Sequence, residues 1–442
     1  MEADLGIEGG TVVSGGWRSA ANVYVAAGRI LAVTAERRPA RERVDAARLL
    51  VMPGMVDAHV HFMDPADPER EDFPTGSAAA ARAGVTTIIE HTHGRPVRSF
   101  EELREKEEYL RDRSRVDFAL GAHAWPGQHH LVGPVWQAGA AFVKAFTCTT
   151  HGVPGHDAAA LQSLFTAAAT AGATCLLHCE DESLTQAAER RLREARRSDG
   201  ALIPEWRNRE AELVAVAVAS LLAKRSGARA VVAHASNPEV VELAGGLIVE
   251  SCPQYLTLLE QEADEKGPFR KFTPPARARD QGELDAMWAA LRQGRIDYLS
   301  SDHAPSTASQ KRDGSIWDVH FGLPGVDTTL PVLLDGAHAG RLTYERLVEV
   351  YSEAPARIYG LRGKGRLHAG ADADLVLVDP ELAWYVRDED VLSKAAWSPF
   401  AGRTLWGRAV ATYLRGRLAA LDGKVLAEPG WGRFLAGPGA GR

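Results

Sequence analysis

The sequence predicts an α/β protein, a (β/α)8 TIM-like barrel with a small β-sandwich domain formed by both chain termini. Three observations predict this fold. The chain has 442 residues, which is too long for one ordinary domain and suits a large barrel plus a satellite domain. In the middle of the chain, short apolar runs alternate with longer segments typical of helices, which indicates parallel strands with crossover helices. Both ends are instead rich in β-prone runs punctuated by glycine.

The two ends of the chain predict one satellite domain. Short β-prone runs separated by glycines fill residues 1–52, and the same pattern returns in residues 365–425. Because these segments flank the alternating middle, the economical arrangement is one β-sandwich built from both. We assign residues 53–364 to the barrel. Residues 426–442 are rich in Gly, Ala and Pro, a composition that predicts a flexible tail.

The middle of the chain supplies the barrel strands. A helical segment lies between most successive apolar runs, which is the order of a parallel sheet with crossover helices. A doubly wound open sheet is the alternative arrangement. The runs that we expect to form strands are 49–56, 85–90, 141–146, 175–178, 230–234, 247–250 and 298–301.

Composition excludes several classes of partner. The formal net charge is -7, with 45% hydrophobic and 25% charged residues, the balance of a soluble globular protein with no nucleic-acid or membrane surface. No run of about 18 apolar residues suggests a membrane span. The four cysteines match neither a disulfide framework nor a zinc ribbon. We therefore expect free thiols in a cytoplasmic protein.

Six polar side chains lie within or at the ends of different apolar runs. His59 and His61 are two residues apart, so on a strand both imidazoles point to one face. The remaining four lie far apart along the chain, and they are Lys144, His178, His234 and Asp302. Because the carboxyl ends of barrel strands converge on one face, we expect these groups to meet there.

These residue types predict a metal centre. Imidazole and carboxylate favour a borderline divalent ion such as zinc, with manganese, cobalt or iron as alternatives. Lys144 is unusual, since a cationic amine is costly in an apolar strand. A neutral amine can react with carbon dioxide to give a carbamate, whose two oxygens could bridge two metal ions.

The chain resembles the cyclic amidohydrolases, a family that includes hydantoinase or dihydropyrimidinase, allantoinase and dihydroorotase. Examples are the Val-Met-Pro-Gly-Met-Val-Asp-Ala-His-Val-His run at 51–61 and the Ser-Asp-His-Ala-Pro run at 301–305. The other matching segments are 71–77, 84–89, 178–181, 251–256, 274–277, 322–325 and 398–404. The resemblance spans residues 5 to 425.

The resemblance implies a role for each candidate. His59 and His61 would bind the more buried of two divalent ions, and His178 and His234 would bind the second. The ligand types indicate zinc for both ions. Lys144, N6-carboxylated by carbon dioxide, would bridge them. Asp302 would bind the first ion and act as the general base for an attacking hydroxide that bridges the ions. The family also forms homo-oligomers, so we expect a dimer or tetramer.

The substrate is the less determined part of the prediction. Dihydroorotases carry a carboxylate-binding arginine two residues after the second metal histidine, and Met63 stands there. Hydantoinases carry a tyrosine five residues after the bridging lysine, and Thr149 stands there. Allantoinases share the His-Val-His-Phe opening but carry asparagine at the position of Met63. The candidate substrate contacts, taken from these positions and the matching segments, are Met63, Thr149, Pro274, Gly322 and Leu323.

We therefore expect hydrolysis of a ring amide C–N bond in a neutral cyclic ureide that is hydantoin- or allantoin-like. The alternatives are a dihydroorotase-like or other cyclic imide or amide hydrolase, and a non-catalytic scaffold that kept the fold. Three further histidines lie close to the site along the chain: His91, His93 and His303. We expect each of them to support the site through hydrogen bonds rather than to contact substrate.

Overall fold

The computed structural model describes residues 2–441. Its strands fall into three groups along the chain. The N-terminal group is β1 (Ala3–Ser14), β2 (Trp17–Ala26), β3 (Arg29–Thr34), β4 (Ala40–Asp45) and β5 (Leu50–Pro53). The barrel group is β6 (Met55–Val60), β7 (Val85–Glu90), β8 (Asp117–Leu120), β9 (Ala122–His123), β10 (Val143–Phe146), β11 (Thr174–His178), β12 (Arg229–Val232), β13 (Ile248–Ser251) and β14 (Tyr298–Leu299). The C-terminal group is β15 (Leu375–Tyr385), β16 (Thr404–Leu414), β17 (Arg417–Leu421) and β18 (Lys424–Val425).

Most of the helices lie between barrel strands, as a parallel sheet requires. Several of them begin at an Asp or Asn side chain that accepts a hydrogen bond from a backbone N–H of the first turn, which stabilises the exposed helix end. The helices are α1 (Phe73–Arg82), α2 (Phe100–Leu110), α3 (Val132–Ala138), α4 (Ala158–Ala171), α5 (Glu182–Glu194), α6 (Leu202–Trp206), α7 (Arg209–Ser226), α8 (Pro238–Leu243), α9 (Pro253–Thr257), α10 (Glu262–Lys266), α11 (Gln281–Arg292), α12 (Ala308–Arg312), α13 (Thr329–His338), α14 (Tyr344–Val348) and α15 (Ala354–Ile358).

The barrel closes through eight parallel strand positions. Parallel pairing runs from β6 through β7 to β8, and from β9 through β10 to β14. β8 and β9 form one strand interrupted at Gly121, where an added Cβ would collide with the ring of Phe142. A parallel bridge between Val60 and His303 joins the last strand position to the first. The expected (β/α)8 barrel is confirmed.

Strands from both ends of the chain form one nine-stranded sheet, which is the satellite domain that we expected as a β-sandwich built from both termini. β5 pairs parallel with β1 and antiparallel with β15, so the N-terminal and C-terminal groups are joined edge to edge. Buried side chains from both groups, among them Ile7, Val51 and Leu377, share an apolar core separate from that of the barrel. This shared core explains why neither segment needs to fold alone.

A close approach at Gly10 lets β1 change partners. Residues 3–8 of β1 pair with β4, whereas Thr11 and Val12 pair with β5. At Gly10 a Cβ would lie 2.6 Å from a methyl group of Val51, too close for any larger residue without movement.

The C-terminal segment differs from the loose tail that its composition predicts. The N–H of Phe118 donates to the carbonyl oxygen of Arg433 at 2.9 Å, and the N–H of Leu435 donates to the carbonyl oxygen of Phe118 at 2.7 Å. Further along, the N–H of Gly437 donates to the carbonyl oxygen of Gly139 at 2.7 Å. Glycines allow this segment to lie close against the barrel, so its composition here reflects tight packing.

All four cysteines are buried and unpaired, which agrees with the free thiols expected from their spacing. Among the helices within residues 2–441, none is long and apolar enough to cross a membrane.

Candidate metal centre

One cavity lies at the carboxyl ends of the barrel strands. It has a volume of about 340 Å³, within the size range of small-molecule sites. All six side chains that the sequence singles out line it. The remaining lining residues are Met63, Ala66, Asp67, Arg70, His93, Gly94, Phe146, His151, Thr273, Ala304, His320, Phe321 and Gly322.

Three of the six groups converge at one point. Nε2 of His59 lies 3.2 Å from Oδ1 of Asp302, and Nε2 of His61 lies 3.4 Å from the same oxygen. His59 and His61 belong to the end of β6 and the residue after it, while Asp302 follows β14, the neighbouring strand. Closure of the barrel therefore brings together residues more than two hundred positions apart.

Two more imidazoles converge beside them. Nδ1 of His178, at the end of β11, lies 3.1 Å from Nε2 of His234, just after β12. The ring centroids of His59 and His234 are 5.5 Å apart. The two groups of donors thus face one cavity from adjacent sides of the barrel.

Lys144 lies between these two groups of donors along the barrel. It belongs to β10 and pairs with Leu176 of β11 in the register that places Phe146 opposite His178. The side chain is buried, and no carboxylate of the described residues lies within ion-pair distance of its amine. Burial lowers the pKa of Lys144 to about 8, which increases the fraction of neutral amine near neutral pH.

Two buried glutamates orient the imidazoles from behind. Nδ1 of His59 donates to Oε2 of Glu250 at 2.9 Å, and Nε2 of His178 donates to Oε2 of Glu180 at 2.8 Å. Each glutamate leaves the opposite ring nitrogen directed toward the cavity. Carboxylate–imidazole pairs of this kind are typical of histidines that bind metal ions.

Burial also keeps the imidazoles neutral. It is the largest effect that lowers the pKa of His59, His178 and His234, and the positive charge of Lys144 lowers the pKa of all three further. A neutral imidazole has the free lone pair that a metal ion requires.

The donor set fits divalent ions. Nitrogen and oxygen atoms approach one another within 3.1 to 3.4 Å, with no bulky side chain between them. His59, His61, Asp302, His178 and His234 together offer the mixture of imidazole and carboxylate that zinc and similar ions prefer. The geometry can hold cations next to a cavity large enough for a small ring.

Comparison with known proteins decides the family. The model of the Amidohydrolase family matches residues 50–418. The chain belongs to the amidohydrolase family. An allantoinase from Rubrobacter xylanophilus is 36% identical over 447 residues, covering 98% of this chain and 97% of that protein. An L-hydantoinase from Paenarthrobacter aurescens is 34% identical, covering 98% of each chain.

Two further comparisons extend this result. A dihydroorotase from Halobacterium salinarum is 36% identical over 355 residues, covering 80% of this chain and 82% of that protein. The solved structure of an L-hydantoinase (dihydropyrimidinase) from Arthrobacter aurescens superposes with a TM-score of 0.93 at 33% identity, covering 98% of this chain and 100% of that one. The resemblance to hydantoinases, allantoinases and dihydroorotases expected from the motifs is confirmed.

The candidate substrate contacts of this amidohydrolase divide into two groups. Met63 and Gly322 line the cavity, whereas Thr149, Pro274 and Leu323 lie outside it. Thr149 is exposed, and its hydroxyl accepts a hydrogen bond from the N–H of Gly155 within its own loop. The carbonyl oxygen of Pro274 accepts from the hydroxyl of Tyr255 at 2.7 Å, and Leu323 is buried beside the site with its carbonyl paired to Ala304.

Other cavity residues lie outside the set of candidates chosen from the sequence. His151 lies two residues after Thr149 and lines the cavity, and its ring stacks on that of His93 with 4.7 Å between centroids. Arg70, Asp67 and His320 come from loops, where no periodic pattern marks a residue as facing the site.

The three accompanying histidines have different environments. His93 lines the cavity, with Nδ1 lying 3.3 Å from Nε2 of His123. His91 packs against His59 and His61, and its two ring nitrogens have no hydrogen-bond partner among the described residues. His303 points away from the cavity, and its Nδ1 accepts hydrogen bonds from the N–H groups of Gly325 and Val326.

Proposed function

We propose that this amidohydrolase opens a cyclic ureide of the hydantoin or allantoin type by hydrolysing a ring amide C–N bond with the help of two divalent cations. The observation that supports this proposal is the convergence of His59, His61, Asp302, His178 and His234 on one cavity that also contains Lys144. Relatives of similar length carry the names allantoinase and L-hydantoinase.

The chain offers ligands for two ions. His59, His61 and Asp302 would hold one, and His178 with His234 would hold the other. We propose zinc as the ion, because imidazole and carboxylate ligands suit it. Divalent ions held here would lower the pKa of bound water and polarise the amide carbonyl of the substrate.

Lys144 is the residue that we propose to join the two halves of the site. Its amine is buried without a counter-charge in ion-pair distance among the described residues, and its pKa is lowered to about 8. The neutral amine reacts with carbon dioxide to form an N–C bond and releases one proton. Together with the proton that the ammonium form loses first, this replaces a costly buried cation by a carbamate anion. The five neighbouring donors carry only one negative charge, on Asp302, so an additional anion suits a site for two dications.

Asp302 is the proposed general base. Its carboxylate lines the cavity and lies 3.2 to 3.4 Å from two imidazole nitrogens, so it is held in one orientation. In that position it can accept a proton from the attacking water and donate it to the ring nitrogen as the C–N bond breaks. The products are an acid and an amine, or an acid and a ureido group, on one open chain.

The substrate panel distinguishes this proposal from its alternatives. Initial rates on hydantoin, allantoin, dihydrouracil and dihydroorotate should be compared for purified protein, chelator-treated protein and protein reloaded with zinc. We expect turnover of hydantoin or allantoin, loss on chelation and recovery on reloading. Preference for dihydroorotate would favour the dihydroorotase-like alternative, consistent with the dihydroorotase relative.

The scaffold alternative predicts that the protein hydrolyses none of these rings. Protein that binds two zinc ions per chain yet opens none of the four rings, nor other cyclic imides, would contradict the proposed reaction. We also propose assembly as a homodimer or homotetramer, which the native mass in solution tests. The four buried, unpaired cysteines support the expected cytoplasmic location.

A further inference from the structure

Arg70 lies in the wall of the metal-centre cavity on the segment between β6 and α1. Only 9% of the residue is exposed, and that exposure is toward the cavity that it lines. Its Nε donates to the carbonyl oxygen of Pro305 at 3.0 Å. Within residues 2–441, its two terminal nitrogens make no hydrogen bond and no carboxylate lies at ion-pair distance.

Buried arginines elsewhere in the chain have partners. Nη2 of Arg277 donates to Glu180 at 2.8 Å, and its other terminal nitrogen pairs with Glu212. Arg270, also buried, likewise pairs with Glu262 at 2.9 Å. A guanidinium that only supports the fold is expected to be paired in this way, because a buried cation without a partner costs free energy. Arg70 has no such acidic partner among the described residues, and it lies in the wall of a cavity that a ligand can enter.

The segment that carries Arg70 is held in place on both sides. Before it, Asp64 accepts from the hydroxyl of Tyr109 at 2.8 Å and from the N–H of Phe73 at 3.0 Å. After it, the carboxylate of Glu71 accepts from the backbone N–H of Lys394 at 3.2 Å. Because its backbone and its Nε are both fixed, the guanidinium is oriented before any ligand arrives.

The charge around Arg70 favours a single negative group. Burial lowers the pKa of Arg70 to about 10, so the side chain remains a cation at neutral pH, and the nearest acidic influence is Asp67. Asp67 also lines the cavity and would repel a dianion such as phosphate. A monoanionic carboxylate matches the planar fork of the guanidinium with two parallel hydrogen bonds.

We propose that Arg70 binds a carboxylate on the substrate, so that the natural substrate is a cyclic ureide carrying a short acidic substituent. This inference rests on the proposed function. It replaces the neutral substrate that we expected because Met63 cannot bind a carboxylate. Arg70, seven residues later, provides a partner for a carboxylate at another part of the cavity wall. Arg70 is therefore a specificity residue and takes no part in proton transfer.

Two matched substrates test this inference. One is hydantoin with a carboxymethyl or carboxyethyl group on its ring carbon, and the other carries the corresponding primary amide. The values of kcat and KM for both should be measured in the wild type, Arg70→Gln and Arg70→Lys, with exposed Arg95→Gln as the matched control. We expect the wild type to prefer the acid by about 30-fold in kcat/KM, the size of a charge-assisted hydrogen bond.

The variants separate the outcomes. In Arg70→Gln the acid should lose most of its advantage through a higher KM, the amide should be opened at its wild-type rate, and Arg70→Lys should be intermediate. Equal losses on both substrates, or no preference in the wild type, would overturn the role of Arg70 and leave the proposed reaction intact. Failure of the wild type to open either substituted ring while it opens hydantoin or allantoin would overturn this inference alone, whereas failure on all four rings would overturn the proposed reaction as well.

Discussion

Glu250 connects His59 to the opposite half of the site. Its carboxylate accepts from Nδ1 of His59 at 2.9 Å and from the backbone N–H of His234 at 3.1 Å, and all three residues are buried. Glu250 lies on β13, between the strands that carry the two histidine groups. One carboxylate therefore positions a ligand of each proposed ion without itself lining the cavity.

The variant Glu250→Gln should weaken metal binding more than it weakens folding. Glutamine retains the size of glutamate but replaces one of the two oxygens that face Nδ1 of His59 by an amide NH2 group, so we expect a 10- to 100-fold loss of zinc affinity, roughly the effect typical of such supporting groups. Competition with a metal-binding dye measures it. Glu242→Gln, at an exposed position of α8, is the matched control. Unchanged affinity in Glu250→Gln would show that the hydrogen bond is only structural.

Replacement of Lys144 should remove the proposed bridge between the two ions. In Lys144→Ala we expect activity to fall about a thousandfold and zinc content to drop, because the site would lose the proposed carbamate ligand. Added propionate should restore part of the activity by entering the vacated space. Exposed Lys224→Ala is the control. Intact-protein mass and labelled carbon dioxide test the modification itself: an unmodified amine in fully zinc-loaded wild type would contradict the carbamate.

Substitution of Asp302 should separate its two proposed roles. Asp302→Asn retains an oxygen ligand but cannot accept a proton, so kcat should fall about a thousandfold, a loss typical of a missing general base. Zinc content should stay above half of the wild-type value. The exposed Asp313→Asn variant provides the control. Near-normal turnover by zinc-loaded Asp302→Asn would assign proton transfer to another group.

The buried side chain of His156 should make the stability of the fold sensitive to acid. Burial lowers its pKa from 6.5 to about 4, while its Nδ1 donates to the carbonyl oxygen of Phe146 at 3.2 Å. As the pH falls from 6.5 toward 4, the unfolded chain takes up a proton that the folded site refuses, so stability present at neutral pH is lost. The loss amounts to about 3 kcal/mol.

Unfolding measured across that pH range checks this contribution. The variants His156→Asn and His156→Gln remove the titrating group, and each should show a shallower decline of unfolding free energy with falling pH than the wild type. The two variants differ in packing, so a shared change in slope isolates the titration. Identical slopes in wild type and variants would contradict the prediction.

Removal of residues 430–442 should destabilise the barrel. The N–H of Gly430 donates to the carbonyl oxygen of Ser114 at 2.9 Å. The same segment also forms hydrogen bonds with both the N–H and the carbonyl oxygen of Phe118 in β8. Its loss would expose an edge of β8 and the ring of Phe118. We expect Tm to fall by about 5 °C, measured by calorimetry. Deletion of residues 441–442 alone is the control. An unchanged Tm in the longer deletion would indicate that the segment does not stabilise the barrel, as expected for a flexible tail.

Much of the candidate site could be predicted because its residues occupy strand ends. His59, His178 and His234 each follow an apolar run, and the ends of parallel strands meet whatever the intervening loops do. Glu250 carried a comparable signal, an acid within the buried run of β13, that the prediction did not use. The third barrel strand was missed because it is short and interrupted at Gly121.

Loop residues were predicted less well for a physical reason. Thr149 was expected to contact substrate because of its position five residues after Lys144, but it does not line the cavity, whereas His151 of the same loop does. Loop conformation depends on contacts with distant parts of the chain, which local sequence does not encode. The C-terminal segment is a similar case, since Gly and Pro permit either looseness or close packing.

The sequence by itself determined the alternating α/β architecture, the β domain shared by both ends and a set of residue types suited to binding metal ions, because periodicity and ligand chemistry are local properties. Only the tertiary structure decided which loop side chains face the cavity. Arg70 lines the cavity because contacts of its segment with Tyr109, Pro305 and Lys394, from three other parts of the chain, hold that segment in place.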